Sequence, residues 1–155
     1  MSSVTAAWAR AGLVGGGVLI ADQATKAVMR ATLERGEAID LVLGMKLVHV
    51  RNSGVAFGAL AGAGAIVTVV IAVALIALVA YFATNVGRRL AWLPTGLLLG
   101  GALGNVIDRV RDGAVTDFVK LPHWPAFNLA DTAITFGVIA LLLVMERSGG
   151  AARRA

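Results

Sequence analysis

Ala65-Ile-Val-Thr-Val-Val-Ile-Ala-Val-Ala-Leu-Ile-Ala-Leu-Val-Ala-Tyr-Phe82 carries no charge, and it lies inside a longer uncharged stretch of 29 residues, Val55 to Ala83. A helix needs about 20 apolar residues to cross a bilayer. A surface helix of a soluble protein would show one polar face, and this segment shows none. It predicts a membrane span over about 65–83. Working outward, three more spans fit. The first covers about 7–33, with an apolar centre from Ala11 to Ala21 and Asp22, Lys26 and Arg30 at its far end. The third covers 90–107, 18 uncharged residues with Pro94 near the start, where proline suits a first helical turn. The fourth covers about 128–146. The expected fold is an all-α membrane protein, one integral domain over residues 1–155 with four transmembrane helices.

The composition agrees. Hydrophobic residues make up 58% of the chain and charged ones 15%, against about 25% charged in globular domains. Mean hydropathy is +0.82. The absence of cysteine excludes a disulfide framework, a thiolate nucleophile and a cysteine-bound metal. A pI near 10.8 suggests nucleic acid at first sight. In so apolar a chain, arginines that mark the cytoplasmic ends of spans explain it better, and no nucleic-acid partner is expected. Arg10 followed by Ala11 to Ala21 has the outline of a signal peptide, but no small-x-small cleavage site follows, so a retained first helix is expected.

Two polar segments interrupt the spans, about 34–58 and 109–126. In the first, Leu41 to Val50 is β-branched and partly alternating, which predicts short strands, and Gly44 inside it suggests a bulge. In the second, Asp112-Gly113 signals a turn, Ala114 to Val119 reads as extended, and Pro122 and Pro125 follow. A small β-like platform is expected there. The link Thr84 to Arg89 is short, and the tail Ser148 to Ala155 is expected to be disordered. Trp8 and Trp92 fall at one interface and Trp124 at the other. Gly96, Gly100 and Gly104, with Gly101 and Ala102 beside them, form a smooth stripe for close helix packing. The lysine and arginine count does not settle orientation, because the face bearing the termini has six such residues and the other eight.

Eight of the nine acids share that other face: Asp22, Glu34, Glu37, Asp40, Asp108, Asp112, Asp117 and Asp131, with Glu146 elsewhere. Carboxylates at span edges are costly and point to function. Two that approach in a low-dielectric site share a proton. One then acts as base on a water and the other as acid on a carbonyl oxygen, which hydrolyses a peptide without metal or nucleophile. Structural readings compete. Asn128 and Asp131 suit an N-cap and its third helical residue, Asp108 suits an ion pair with Arg109, and Asp22 with Lys26 suits an i, i+4 salt bridge. His49 and His123 are isolated, so no metal and no cofactor is expected. His-Glu-x-x-His, Gly-x-Ser-x-Gly and Gly-x-Gly-Asp motifs are absent. A proton-coupled carrier with aspartate relays is the alternative from another class, and an assembly factor using the glycine stripe is a third.

Five segments, Asp22-Gln-Ala-Thr-Lys26, Asn52-Ser-Gly-Val-Ala-Phe-Gly58, Gly101-Ala-Leu-Gly-Asn-Val-Ile-Asp-Arg109, Val115-Thr-Asp-Phe118 and Phe127-Asn-Leu-Ala-Asp131, taken in order resemble the bacterial lipoprotein signal peptidases (type II). The resemblance covers nearly the whole chain. It implies a four-helix aspartyl endopeptidase of the inner membrane, with an extracytoplasmic platform and both termini cytoplasmic. It implies diacylglyceryl-modified prolipoproteins as substrates, cut just before the lipidated cysteine. Membrane lipids and the inhibitor globomycin are implied as further partners, and the chain would act as a monomer. Asp117 and Asp131 match the catalytic pair. Asn52, Gly54, Asn105, Asp108, Arg109, Asn128 and Ala130 match pocket residues, and Asp22 and Lys26 a supporting pair. The stretch from Asp117 to Asp131 is short for the family, which would alter an outer lid.

Overall fold

The computed structural model describes residues 3–53 and 64–152. Among them, four helices and three strands follow in the order α1 (Ser3–Thr32), β1 (Ala38–Asp40), β2 (Lys46–Asn52), α2 (Gly64–Asn85), α3 (Trp92–Asp112), β3 (Val115–Lys120) and α4 (Leu129–Ala152). By length and composition, α1 and the Leu129–Glu146 part of α4 each suffice to cross a membrane. The 22 residues of α2 contain no charged side chain. At about 1.5 Å per residue their length is comparable to the thickness of a hydrocarbon core. Large apolar side chains cover the outside of these helices, among them Leu13 and Ile20 on α1, Val73 and Ile76 on α2, and Phe136 and Leu142 on α4.

Helix α3 sits at the centre because its glycines let neighbours come close. A Cβ on Gly96 would fall 2.7 Å from the Ala11 carbonyl oxygen, and one on Gly100 would collide with the Gly15 carbonyl of α1. On the adjacent side, a Cβ on Gly101 would fall 2.6 Å from the Ala130 carbonyl oxygen of α4. The stripe read from the sequence is thus a packing device that serves two neighbours. At one end of the bundle Phe82 is fully buried with Ala7, Ala11 and Ala91. Trp8 meets Phe82 edge-on at 4.6 Å between centroids, and Arg10 lies over Trp92. Trp124 is at the opposite end, beside the sheet.

That sheet is antiparallel in the order β1-β2-β3. Val50 pairs with Asp117 and Asn52 with Val115, and the register shifts between Leu47 and Val50. The shift allows two consecutive residues, Val48 and His49, to be buried. The irregularity expected at Gly44 therefore lies further along. Gly44, at φ +75°, instead closes the tight turn between β1 and β2. Helix α3 continues past the expected span to Asp112 and stops at Gly113, whose left-handed backbone (φ 70°) lets its N–H bond the Arg109 carbonyl. This C-terminal cap needs a residue that tolerates positive φ. Helix α4 runs through Ala152, into a tail expected to be disordered.

Candidate active site

Strand β3 alternates its side chains, so Val115 and Asp117 face one way and Thr116 the other. On the first side is a cavity of about 290 Å³, lined by Asn52, Asn105, Arg109, Asp117, Trp124, Asp131 and their neighbours. Asp131 reaches it from the first turn of α4. Its position is fixed by the helix start: its N–H donates to Asn128 Oδ1 at 2.9 Å, and the Asn128 N–H donates to Asp131 Oδ2 at 3.2 Å. This is a reciprocal capping box with an aspartate in the acidic position. The capping reading of Asn128 and Asp131 is therefore correct, and it leaves Asp131 Oδ1 facing the cavity, where it accepts from Asn105 Nδ2 at 2.8 Å.

Asp117 is 2% exposed. It accepts from Asn128 Nδ2 at 2.7 Å and from Asn52 Nδ2 at 3.0 Å. Asn52 does this as a diagonal cross-strand neighbour on β2. Burial first, and the negative charge of Asp131 second, push the Asp117 carboxyl up to about 7, against the pull of the two amide donors. The two carboxylates thus meet around one amide, Asn128, which is itself fully buried. Arg109 lines the same cavity and donates to the Asn105 carbonyl at 3.4 Å.

Behind this pair is a second, wholly buried cluster. Lys26 Nζ lies 2.8 Å from Asp22 Oδ2 and 3.1 Å from Asp108 Oδ2, and donates to Asn105 Oδ1 at 2.9 Å. Asp22 Oδ1 accepts the Ala130 N–H at 2.9 Å, and Asp108 Oδ2 accepts the Thr116 N–H at 3.1 Å. Each carboxylate thereby holds the backbone next to a cavity aspartate, Ala130 before Asp131 and Thr116 before Asp117.

A family profile described as signal peptidase (SPase) II matches residues 14–147. The chain belongs to the signal peptidase II family. The lipoprotein signal peptidase of Moorella thermoacetica is 46% identical over 126 residues, covering 80% of this chain and 84% of the relative. That of Geobacter metallireducens is 43% identical over 138 residues, covering 83% and 85%. A solved structure described as a bacterial membrane enzyme at 2.3 Å superimposes with a TM-score of 0.83 at 32% identity, covering 90% of this chain and 88% of that one. A second, at 1.9 Å, gives a TM-score of 0.76 at 33% identity, covering 87% of this chain and 91% of that one.

This signal peptidase II chain brings together most of the residues singled out in the sequence. Asn52, Asn105, Arg109, Asp117 and Asp131 line the cavity, and Asn128, Ala130, Asp22, Lys26 and Asp108 hold it from behind. Gly54 lies outside the described residues. One pairing differs from expectation. Asp108 has Lys26 at 3.1 Å, Arg111 at 3.6 Å and Arg30 at 3.9 Å as its ion partners, and Arg109 turns to the cavity. Successive helix residues point about 100° apart, so neighbours in sequence do not face each other. Two further residues contribute. Gln23 donates to Asp22, to Asp108 and to the Gly104 carbonyl, at 3.1–3.2 Å. Thr116 offers its N–H to Asp108. Their positions inside the Asp22-Gln-Ala-Thr-Lys26 and Val115-Thr-Asp-Phe118 segments were the available signal.

Proposed function

We propose that this chain is an aspartyl endopeptidase of the inner membrane that removes the signal peptide from diacylglyceryl-modified prolipoproteins, just before the lipidated cysteine, with Asp117 and Asp131 as its catalytic pair. Membership of the signal peptidase II family makes it a membrane protease acting on prolipoproteins. The aspartyl mechanism rests on one observation: two carboxylates from different elements meet in one cavity around Asn128, and one of them titrates near neutrality.

The chemistry follows. Near pH 7 the Asp117 carboxyl exists in both its protonated and its ionised form. The ionised carboxylate takes a proton from a water, whose oxygen adds to the scissile carbonyl carbon, while the protonated partner gives its proton to the carbonyl oxygen. As the tetrahedral adduct collapses and the C–N bond breaks, the carboxyl that took the water's proton gives it to the leaving amine, and the other carboxylate takes back the proton of the gem-diol hydroxyl. Asn52, Asn105 and Arg109 supply donors where negative charge grows on that oxygen.

The substrate arrives from lipid. An apolar cavity of about 470 Å³ between α2, α3 and α4 includes Ile134, which also lines the catalytic cavity. Its apolar walls suit the signal helix or an acyl chain. We place all four helices across the membrane in one domain, with the sheet and cavity at the extracytoplasmic face and both termini in the cytoplasm. The outward apolar side chains of α1, α2 and α4 support this. A proton-coupled carrier is not favoured, since the carboxylates gather at one end of the bundle rather than at mid-depth.

The test is cleavage of a lipid-modified prolipoprotein in detergent by the wild type, Asp117→Asn and Asp131→Asn. Each variant should fold and lose turnover. Near-normal turnover in either one refutes the pair.

A further inference from the structure

On the far side of β3 from the catalytic cavity lies a larger groove, about 840 Å³, between the ends of α1 and α3 and the back of β2. Four arginines line it: Arg30, Arg35, Arg51 and Arg111. Glu34 and Asp112 also line it, and Asp108 lies behind it within 3.9 Å of Arg30 and 3.6 Å of Arg111. Lys26 and Asp22 cancel each other behind Asp108. The groove is left with one positive charge in excess, a match for a single phosphodiester.

The surface below the groove is apolar. Leu103, Ile107 and Arg111 are spaced i, i+4, i+8 on α3, one face of a helix, and Leu103 and Ile107 are exposed. On α1, Val28 is 53% exposed and lies one turn before Thr32, the last residue of the helix, which also lines the groove. Guanidinium groups above an apolar track match an amphiphile with an anionic head and a hydrocarbon tail. A free phosphate or an acidic peptide would use the arginines and leave the track bare.

We propose that this groove binds the phosphodiester headgroup of an anionic phospholipid, with an acyl chain against Leu103 and Ile107. The site adjoins the catalytic strand: Arg30 Nη1 donates to Thr116 Oγ1 at 3.1 Å, and Thr116 precedes Asp117. A bound headgroup would therefore brace β3 from behind. The inference rests on the membrane placement given above, which puts the ends of α1 and α3 at the lipid headgroups.

The experiment uses the full chain in phosphatidylcholine nanodiscs with a rising fraction of phosphatidylglycerol. The thermal midpoint should rise and saturate. Arg35→Gln and Arg51→Gln should each weaken the response by about fivefold, and Lys46→Gln on the outer platform should leave it unchanged. A photoreactive phosphatidylglycerol should crosslink within residues 28–35 or 103–112 of the wild type, a readout that needs no variant to fold. Equal responses in all proteins, crosslinks elsewhere, or no preference over phosphatidylcholine would overturn the inference. So would the same stabilisation by inorganic phosphate, or by an acidic peptide, in pure phosphatidylcholine. Cleavage measured in the same discs reports separately on the protease reading. Full activity without a lipid response removes only the groove.

Discussion

Two pairs of aspartates lie back to back in this molecule and behave differently. Asp22 and Asp108 are fully buried around one ammonium group, Lys26. Asp117 and Asp131 share a cavity in which the amides of Asn52, Asn105 and Asn128 donate to them, with the Arg109 guanidinium on the same wall. A buried ammonium within ion-pair distance of both Asp22 and Asp108 ties them into the packing of α1 against α3. Amides orient carboxylates without supplying a whole charge, so burial and mutual repulsion are left to raise a pKa. Under the proposed function, the buried ammonium of Lys26 beside one pair and not the other, rather than residue type, separates scaffold from chemistry.

The largest effect should come from crossing that line by substitution. Asp117→Asn and Asp131→Asn should each lower turnover by about 10³-fold with thermal midpoints close to the wild type. Asp108→Asn should lower midpoint and expression as well as activity, because Lys26 loses one of its two counter-ions and Thr116 its acceptor. A stable Asp108→Asn with turnover lost, alongside an active Asp117→Asn, would exchange their roles.

Next in size is removal of the cation. Lys26→Met leaves buried Asp22 without its cation and Asp108 with only the more distant Arg30 and Arg111, and should destabilise by about 3–5 kcal/mol in detergent unfolding. Unchanged stability would show that Lys26 does not hold the rear pair together.

The pH dependence sharpens the contrast further. The Asp117 carboxyl titrates near 7 in the folded chain and near 4 when unfolded. Its proton is held more tightly in the folded state. That contribution to stability is complete below about pH 4 and is lost as pH rises through about 7. Unfolding midpoints of the wild type should therefore fall relative to those of Asp117→Asn across this window, and cleavage should decline above about pH 7 as the shared proton leaves. A constant difference between the two proteins from pH 4 to 8 would contradict the assignment.

The smallest effects concern glycines. A Cβ on Gly104 would fall 2.5 Å from Asp22 Oδ2, so Gly104→Ala should cost about 1–3 kcal/mol by displacing the rear pair. Gly16, in the same bundle, has nothing within 4 Å of a built Cβ. Gly16→Ala should stabilise α1 by up to about 1 kcal/mol. Similar midpoints for both would mean that the Asp22 carboxylate tolerates displacement.

Much of this was legible in the sequence, for identifiable reasons. Uncharged runs dictate α2, and the β-branched and Val-Thr-Asp-Phe segments dictate β2 and β3. Asp131 is legible as both cap and site residue because Asn128 and Asp131 have capping spacing. The partner of Asp108 was not legible, since Lys26 is 82 residues away in sequence and only the approach of α3 to α1 at Gly96, Gly100 and Gly104 brings them together. The groove behind β3 is hidden from the sequence for the same reason, its arginines being spread over α1, the turn that follows it, β2 and α3. Gly44 misled because a glycine within a strand pattern signals a bulge and a turn equally well.

The Asn128 amide has two hydrogens to give, and three oxygens wait for them: Asp117 Oδ1 at 2.7 Å, Asn105 Oδ1 at 3.2 Å and the Thr116 carbonyl at 3.3 Å. One acceptor always goes short. When Asp117 gains a proton it becomes the weakest claimant, and a hydrogen can pass to Asn105 or Thr116 with little more than a rotation of one side chain. A proton arriving in the cavity is in this way felt on a neighbouring helix and along a strand, by redistribution of a scarce donor rather than by movement of the chain.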